Sequence, residues 1–168
     1  MAADKVGEIW DALLAVPGVK PAGLGARDTL RLEMGYPLYG HEMDTETTPI
    51  EAGFGQMLKL EDGRDFAGAC ALRATPPSKH LVGIVLDGRR ATRHGAAVCA
   101  VDGAVIGKIT SGTFSPSLEK AIALAYINVA NALKPGDEMV LDAGGKKIPG
   151  KVAKTPFHTA GTARIKIC

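Results

Sequence analysis

An arginine at the start of a short helix is the residue of this chain whose position first suggests chemistry. Arg27 lies in the first turn of a segment that begins near Gly25 and ends at Gly35, which predicts a helix of about two to three turns. The N-terminal end of a helix has free N–H groups and positive partial charge, so a cation there is locally unfavourable. We therefore expect an anionic or strongly polar group near Arg27. The alternative is a purely structural arginine that pairs with a local acid such as Asp28.

The same helix has a second arginine and an apolar repeat. Ala26, Leu30 and Met34 recur at i, i+4 and i+8, which predicts that this face of the helix is buried. Asp28 precedes Arg31 by three residues, a spacing that favours a surface ion pair of about 0.2–0.5 kcal/mol. The helix is therefore predicted to organise the segment around it.

Motifs for nucleophilic, phosphate-binding or metal chemistry are absent from the sequence. It has no GxSxG or GxxxxGK[ST] element. The cysteines are odd in number and far apart, which predicts neither a disulfide framework nor a zinc site and favours a reducing cytoplasm. They are Cys70, Cys99 and Cys168, and the histidines without metal-ligand spacing are His41, His80, His94 and His158.

Composition indicates an ordinary soluble globular protein. The 168 residues are 46% hydrophobic and 23% charged, with a net charge of +2. This small and scattered positive charge does not predict a nucleic-acid partner. No run approaches the length of a membrane span, and the first residues lack the pattern of a secretory signal. We expect a cytoplasmic protein with no membrane partner.

The first half of the chain is predicted to be helical and irregular. A helix is expected over residues 4–15 with Trp10 as its core anchor, followed by the helix that holds Arg27. Residues 45–55 are expected to form an irregular connector with one short extended piece. A short strand is predicted at residues 57–60, and a helix capped by Asp65 at residues 66–73.

The second half has apolar runs separated by turns, which is typical of a sandwich or small barrel. Asp102-Gly103 is a hairpin signal. Six strands are predicted, at residues 80–87, 97–101, 105–111, 121–127, 138–141 and 147–152. The fold class is therefore α+β, with helices followed by a six-stranded antiparallel β-barrel.

Several separate motifs, in order, resemble the aminomethyltransferase of the glycine cleavage system, the T-protein family. They lie at residues 25–51, where the chain has Ala-Arg-Asp, Leu-Arg-Leu-Glu and Leu-Tyr-Gly, and at residues 66–72, 106–112, 115–118 and 154–157. The resemblance covers residues 20–157 and corresponds to the latter part of that family only. It implies a tail of the central folate-binding lobe at residues 1–55, a connector at 56–78, and a jelly-roll-like C-terminal barrel at 79–168.

The resemblance also implies an activity. T-proteins take the aminomethyl group carried on the lipoyl arm of H-protein, release ammonia and form methylene-tetrahydrofolate. The family's catalytic Asp belongs to the N-terminal lobe and has no counterpart in this sequence, so no catalytic residue is assigned here. We expect the chain to be inactive alone and to need a separately encoded N-terminal half, with tetrahydrofolate as cofactor and lipoyl H-protein as partner.

The resemblance places candidate folate contacts on particular residues. Arg27 matches the family's folate-contacting Arg, which gives the first-turn cation a purpose, because a guanidinium suits the polar edge of a folate. Tyr39 and Glu51 lie where the family lines its central cavity. Gln56 stands where many members have a Trp near the folate.

Two further hypotheses stay open. The chain is alternatively a non-catalytic folate- or protein-binding module derived from the family, or a folate-dependent demethylase or tRNA-modifying relative. The first 35 residues are predicted to expose a helix face, and a homodimer is one way to cover that face.

Overall fold

Short helices and turns form the first half of the part of the chain described by the structure. The computed structural model describes residues 2–92, 94–131 and 133–160. The helices in these ranges are α1 (Val6–Leu14), α2 (Leu24–Glu33), α3 (Gly55–Leu58) and α4 (Ala69–Ala74). Turns of 3-10 helix occur at Ala3–Lys5, Leu60–Asp62 and Val129–Asn131, and a π-helical turn occurs at Ile50–Phe54.

The second half is a closed antiparallel barrel, so the predicted α+β class and six-stranded barrel are confirmed. The strands found among the described residues are β1 (Lys79–Leu86), β2 (Ala97–Cys99), β3 (Val105–Ser115), β4 (Lys120–Asn128), β5 (Glu138–Asp142) and β6 (Lys147–Ala153). Their order around the barrel is β1-β4-β3-β2-β5-β6. The predicted turn between β2 and β3 is present, since Gly103 has a φ of 94° and the Ala104 N–H donates to Asp102 Oδ1.

Two apolar clusters follow from the alternation of side chains along β1 and β4. One face of each strand points into the barrel, where the main cluster includes Ile84 and Ile127. The opposite face packs outside the barrel, where Ile122 and Leu124 of β4 contact Leu32 of α2. Helix α2 is therefore held against the outer face of the barrel.

The buried face of α2 is not the one that the apolar repeat predicts. Leu30 is 61% exposed and Ala26 is also exposed, whereas Leu32 and Glu33 are buried. The helical period is right but the face is wrong, because α2 contacts the barrel through one leucine and through polar side chains that reach strand hydroxyls. These polar partners are distant in sequence, so the apolar pattern alone could not indicate them.

Local predictions between residues 45 and 78 were also partly wrong. The predicted strand at residues 57–60 is helix α3 and the start of a 3-10 turn, and the connector at 45–55 contains the π-helical turn instead of an extended piece. A four-residue apolar run has no period by which to tell helix from strand. Asp65 is exposed and does not cap α4, which begins after Gly68 with a φ of 91°.

The prediction of Trp10 as a core anchor was wrong as well. Its side chain is 52% exposed, and no residue from 2 to 27 is buried. The helical period of α1 is correct, but its apolar face has no core to enter in the described part of the chain.

Candidate functional site

Arg31 is the centre of a polar network between α2 and the barrel. Its side chain is only 9% exposed. The guanidinium donates to Asp28 Oδ1 at 2.7 Å, to Glu42 Oε2 at 3.0 Å and to Ser111 Oγ at 2.9 Å. It also donates to the Tyr36 carbonyl oxygen at 3.2 Å. The pair with Asp28 is therefore one part of a buried network and not the isolated surface pair expected from its spacing.

Glu33 makes a second connection between α2 and the barrel. The hydroxyls of Ser115 and Ser117 donate to its two carboxylate oxygens, at 2.5 Å and 3.0 Å. The main-chain N–H of His158 donates to the Glu33 carbonyl oxygen. Because Glu33 is buried, these partners compensate for the water that its carboxylate loses. The sequence motif around Ser115 thus has a structural role in fixing the end of α2.

Glu42 connects the segment after α2 to both Arg31 and the barrel. Its Oε2 accepts from Arg31 and from the Leu38 N–H at 2.9 Å, and the Tyr126 hydroxyl donates to its carbonyl oxygen at 2.6 Å. Its Oε1 is buried and has no hydrogen-bond partner among the described residues. Burial, followed by the nearby carboxylates, of which Glu42 is the strongest, raises the pKa of Tyr126 to about 12, so this hydroxyl stays a donor at neutral pH.

Glu51, one of the predicted folate contacts, is buried and fully hydrogen-bonded. The N–H and hydroxyl of Ser78 donate to Oε1, and the N–H and hydroxyl of Thr48 donate to Oε2. Burial would raise the pKa of this carboxyl, but the four hydrogen bonds outweigh it and lower the pKa to about 2. Each oxygen already accepts two bonds, so the geometry gives Glu51 the role of joining the connector to the start of β1. The folate contact proposed for it stays a prediction.

Two histidines share one carbonyl oxygen at the edge of this network. His94 Nδ1 lies 2.9 Å and His41 Nδ1 lies 3.5 Å from the Thr110 oxygen. The Thr110 hydroxyl donates to the Leu124 carbonyl oxygen, and the neighbouring Ser111 hydroxyl accepts from Arg31. Thr110 and Ser111 are thus the residues of β3 that contact α2 through Arg31 and the two loops that carry His41 and His94. Local sequence around Thr110 and Ser111 does not predict these contacts.

Arg27 and Tyr39 lie on the exposed side of the same scaffold. Arg27 is exposed, and none of the hydrogen bonds or ion pairs among the described residues involves its guanidinium. Tyr39 is 67% exposed, and Tyr36, which precedes it, is 60% exposed. Within the described ranges, the donors of Arg27 therefore have no partner and face solvent.

Gln56 lines a surface cavity of about 550 Å³ next to the π-helical turn. Its neighbours in the lining include Ile50, Lys59 and Glu61. The Gln56 side chain is exposed and carries an amide, which offers hydrogen bonds but no aromatic surface for stacking. Glu51 lies in the π-helical turn Ile50–Phe54 and Gln56 lies in α3, which follows it directly. Arg27 belongs to α2.

The remaining chemical groups show no cluster within the described ranges. No group of three or more His, Cys, Asp or Glu side chains there could hold a metal ion. Cys70 and Cys99 are free thiols, and Cys168 lies outside the described residues. None of the helices described is both long and apolar enough to cross a bilayer.

Family models match both halves of the chain. The glycine cleavage T-protein C-terminal barrel domain matches residues 79–158, and the GCVT N-terminal domain matches residues 1–62.

Curated relatives and a solved structure agree with these matches. The chain is 46% identical to an aminomethyltransferase of Synechococcus elongatus over 93% of its own length, and 44% identical to one of Stenotrophomonas maltophilia over 96%. It spans only 42% of either relative. The crystal structure of glycine cleavage system aminomethyltransferase T from Bartonella henselae superimposes with a TM-score of 0.82 at 34% identity, covering 92% of this chain and 44% of that one.

Proposed function

The chain belongs to the glycine cleavage T-protein family, and from that premise we propose that it is the C-terminal part of a tetrahydrofolate-dependent aminomethyltransferase. In the proposed reaction, the carbon carried on the lipoyl sulfur of H-protein is transferred to two nitrogens of tetrahydrofolate. The C–S bond and the bond to the amino group break, and the protons of the two folate N–H groups pass to the leaving sulfur and nitrogen, which depart as the lipoyl thiol and ammonia. The chain spans about two fifths of its curated relatives, so it supplies only part of this machinery.

The observation that carries the proposal is the contrast between Arg27 and Arg31 on α2. Arg31 is buried and uses its guanidinium to hold the helix on the barrel, whereas Arg27 is exposed and has no hydrogen-bond partner among the described residues. A fixed helix that presents a free guanidinium is suited to bind a planar polar group, because the planar fork can donate two parallel hydrogen bonds and loses less rotamer freedom per bond than a lysine would. The polar edge of a folate has this chemistry, and the family resemblance assigns Arg27 to it.

The other residues of this chain would bind or position the folate in different ways. Tyr39 offers an exposed aromatic ring, and Gln56 offers an amide in the lining of its cavity. Glu51 would act through the position of the connector, because its carboxylate oxygens are already occupied. The residues present therefore fit a role in orienting a folate, which is the part of catalysis that rests on positioning.

The catalytic Asp is proposed to come from an N-terminal portion that the family's full-length members carry. The catalytic Asp implied by the resemblance has no counterpart among the residues of this chain, so an N-terminal portion would complete the site, and lipoyl H-protein would deliver the substrate. We place this assembly in the cytoplasm, in keeping with the free thiols of Cys70 and Cys99.

Calorimetric titration with tetrahydrofolate tests the folate site. We expect binding by the wild-type chain in the presence of the remaining part of the Synechococcus relative, and a loss of about tenfold or more in affinity in Arg27→Ala. Lys20→Ala is the matched control, since it removes one exposed cation outside α2. Equal affinity of Arg27→Ala and the wild type would contradict the assignment of Arg27.

A non-catalytic protein-binding module is the second candidate, and Gln56 is the observation that favours it. The exposed amide replaces the aromatic surface on which a folate would stack. In that case the same titration would give no heat with tetrahydrofolate, in the presence or absence of the added portion.

A further inference from the structure

Helix α1 has a complete apolar stripe that the described part of the chain leaves uncovered. Five large apolar residues recur at i, i+3, i+4, i+7 and i+8, the spacing of one helix face. They are Val6, Ile9, Trp10, Leu13 and Leu14, and their exposed fractions are 47%, 42%, 52%, 55% and 37%. We call this set the α1 stripe.

A helix of this length needs a packing partner to be stable. Isolated helices shorter than about 12–15 residues are marginal in water, and α1 has nine residues. The local ion pair between Lys5 and Glu8 is exposed on both sides, so it adds little. Stabilisation of α1 must therefore come from burial of the α1 stripe against another surface.

The family matches indicate which surface this is. The α1 stripe lies inside the segment, residues 1–62, that matches the GCVT N-terminal domain, while β1 to β6 match the separate barrel domain. More than half of each curated relative lies outside the region matched by this chain. The apolar face of a helix is normally buried in the core of its own domain.

We propose that the α1 stripe docks onto the part of the N-terminal domain that the relatives carry outside the matched region. This inference rests on the proposed function, because it identifies the surface through which the incomplete site is completed. Docking buries Trp10 and Leu13 at the centre of the stripe and orders α1 against its partner. The partner surface is an apolar groove of that domain, on the same polypeptide or on a separate one.

The test uses the remaining part of the Synechococcus elongatus relative, produced without the segment that matches this chain. Calorimetry and light scattering after size exclusion measure its binding to the full chain. We expect a one-to-one complex, a gain of helical circular dichroism, and affinity at least about 100-fold weaker in Leu13→Asp, because a carboxylate would enter an apolar interface.

Ala12→Asp is the matched control, because it adds the same charge to the opposite, polar face of α1. It should bind like the wild type, and thermal unfolding of the barrel should be the same in both variants. Absence of a complex, or equal weakening in both variants, would overturn the proposal. A dimer of the chain alone that Leu13→Asp dissociates would assign the stripe to a second copy and also overturn it.

Binding and activity are measured separately in this design. A complex that forms through the stripe but does not bind tetrahydrofolate would leave the docking surface standing and remove the proposed function. An active complex that is insensitive to Leu13→Asp would support the proposed function and overturn the docking surface.

Discussion

Arg27 and Arg31, four residues apart on one helix, have opposite environments. Arg31 is surrounded by Asp28, Glu42 and Ser111, whereas Arg27 is exposed to solvent. A buried carboxylate that loses its cation is far more costly than an exposed side chain that is shortened. The stability of the scaffold should therefore depend on Arg31 and ligand binding on Arg27.

Alanine substitution at the two arginines tests this difference. Arg31→Ala should lower the free energy of unfolding by about 3–5 kcal/mol, because Glu42 would be left buried without its cation. Arg27→Ala should change it by less than about 0.5 kcal/mol. Urea unfolding measures both.

Ser111→Ala provides a milder variant in case Arg31→Ala does not fold. It removes one hydrogen bond to a charged group and should cost about 1–3 kcal/mol. Equal stability of all three variants would mean that the polar network does not hold α2 on the barrel.

The lowered pKa of Glu51 makes one part of the free energy of unfolding depend on pH. Its folded-state pKa of about 2 is below the unfolded value of 4.5, so its contribution is fully present above pH 4.5 and is lost as the pH falls towards 2. The difference corresponds to roughly 3 kcal/mol. Glu51→Gln should remove this component and lower stability near neutral pH by about 2–3 kcal/mol.

Urea unfolding between about pH 5 and about pH 2 measures that component. Glu46→Gln is the control, because Glu46 is an exposed acid in the same connector and should leave the profile unchanged. The same acid dependence in Glu51→Gln and in the wild type would show that the four hydrogen bonds do not stabilise the charged form.

At the level of the elements, α2 is fixed by one apolar contact and several polar ones. Leu32 packs against Ile122 and Leu124 on the outer face of β4, while Leu30 on the same helix is exposed. Leu32→Ala should therefore cost about 2–5 kcal/mol, since it leaves a cavity between helix and barrel. Leu30→Ala should cost less than about 0.5 kcal/mol in the chain alone. Thermal or urea unfolding distinguishes these values, and equal losses would place both leucines in contact with the barrel.

Strands were predictable from the sequence where alternation and turn residues set them. The hairpin at Asp102-Gly103 and the two-faced apolar pattern of β1 follow directly from local sequence. The buried face of α2 could not be predicted, because Ser111 and Ser115, which Arg31 and Glu33 bind, are about 80 positions away in the chain. Local periodicity has no information on such partners.

The candidate site residues were named only through family resemblance. It named Arg27 and Glu51, and the structure gives them different environments, one exposed and one fully hydrogen-bonded. Sequence reasoning missed Glu42, whose burial depends on Arg31 and on the Tyr126 hydroxyl from β4. A glutamate in a turn-rich segment is normally exposed, and only the packing of this segment against the barrel buries Glu42.

At the level of the whole molecule, the chain combines a closed barrel with a segment that matches a second domain model. The barrel model matches residues 79–158, and the N-terminal domain model matches only residues 1–62, in a chain that spans 42% of its curated relatives. We therefore expect a stable fold whose helical side presents part of a site, with activity only in combination with the remaining architecture.

Reconstitution of aminomethyl transfer from two polypeptides tests whether this chain supplies part of a divided site. Lipoyl H-protein that carries the aminomethyl group is mixed with tetrahydrofolate and with this chain, the remaining part of the Synechococcus relative, or both, and methylene-tetrahydrofolate and ammonia are measured. We expect both products in equal amounts only when the two polypeptides are combined, and a strong loss with Arg27→Ala. Formation of a complex that binds tetrahydrofolate but transfers no aminomethyl group would contradict this expectation.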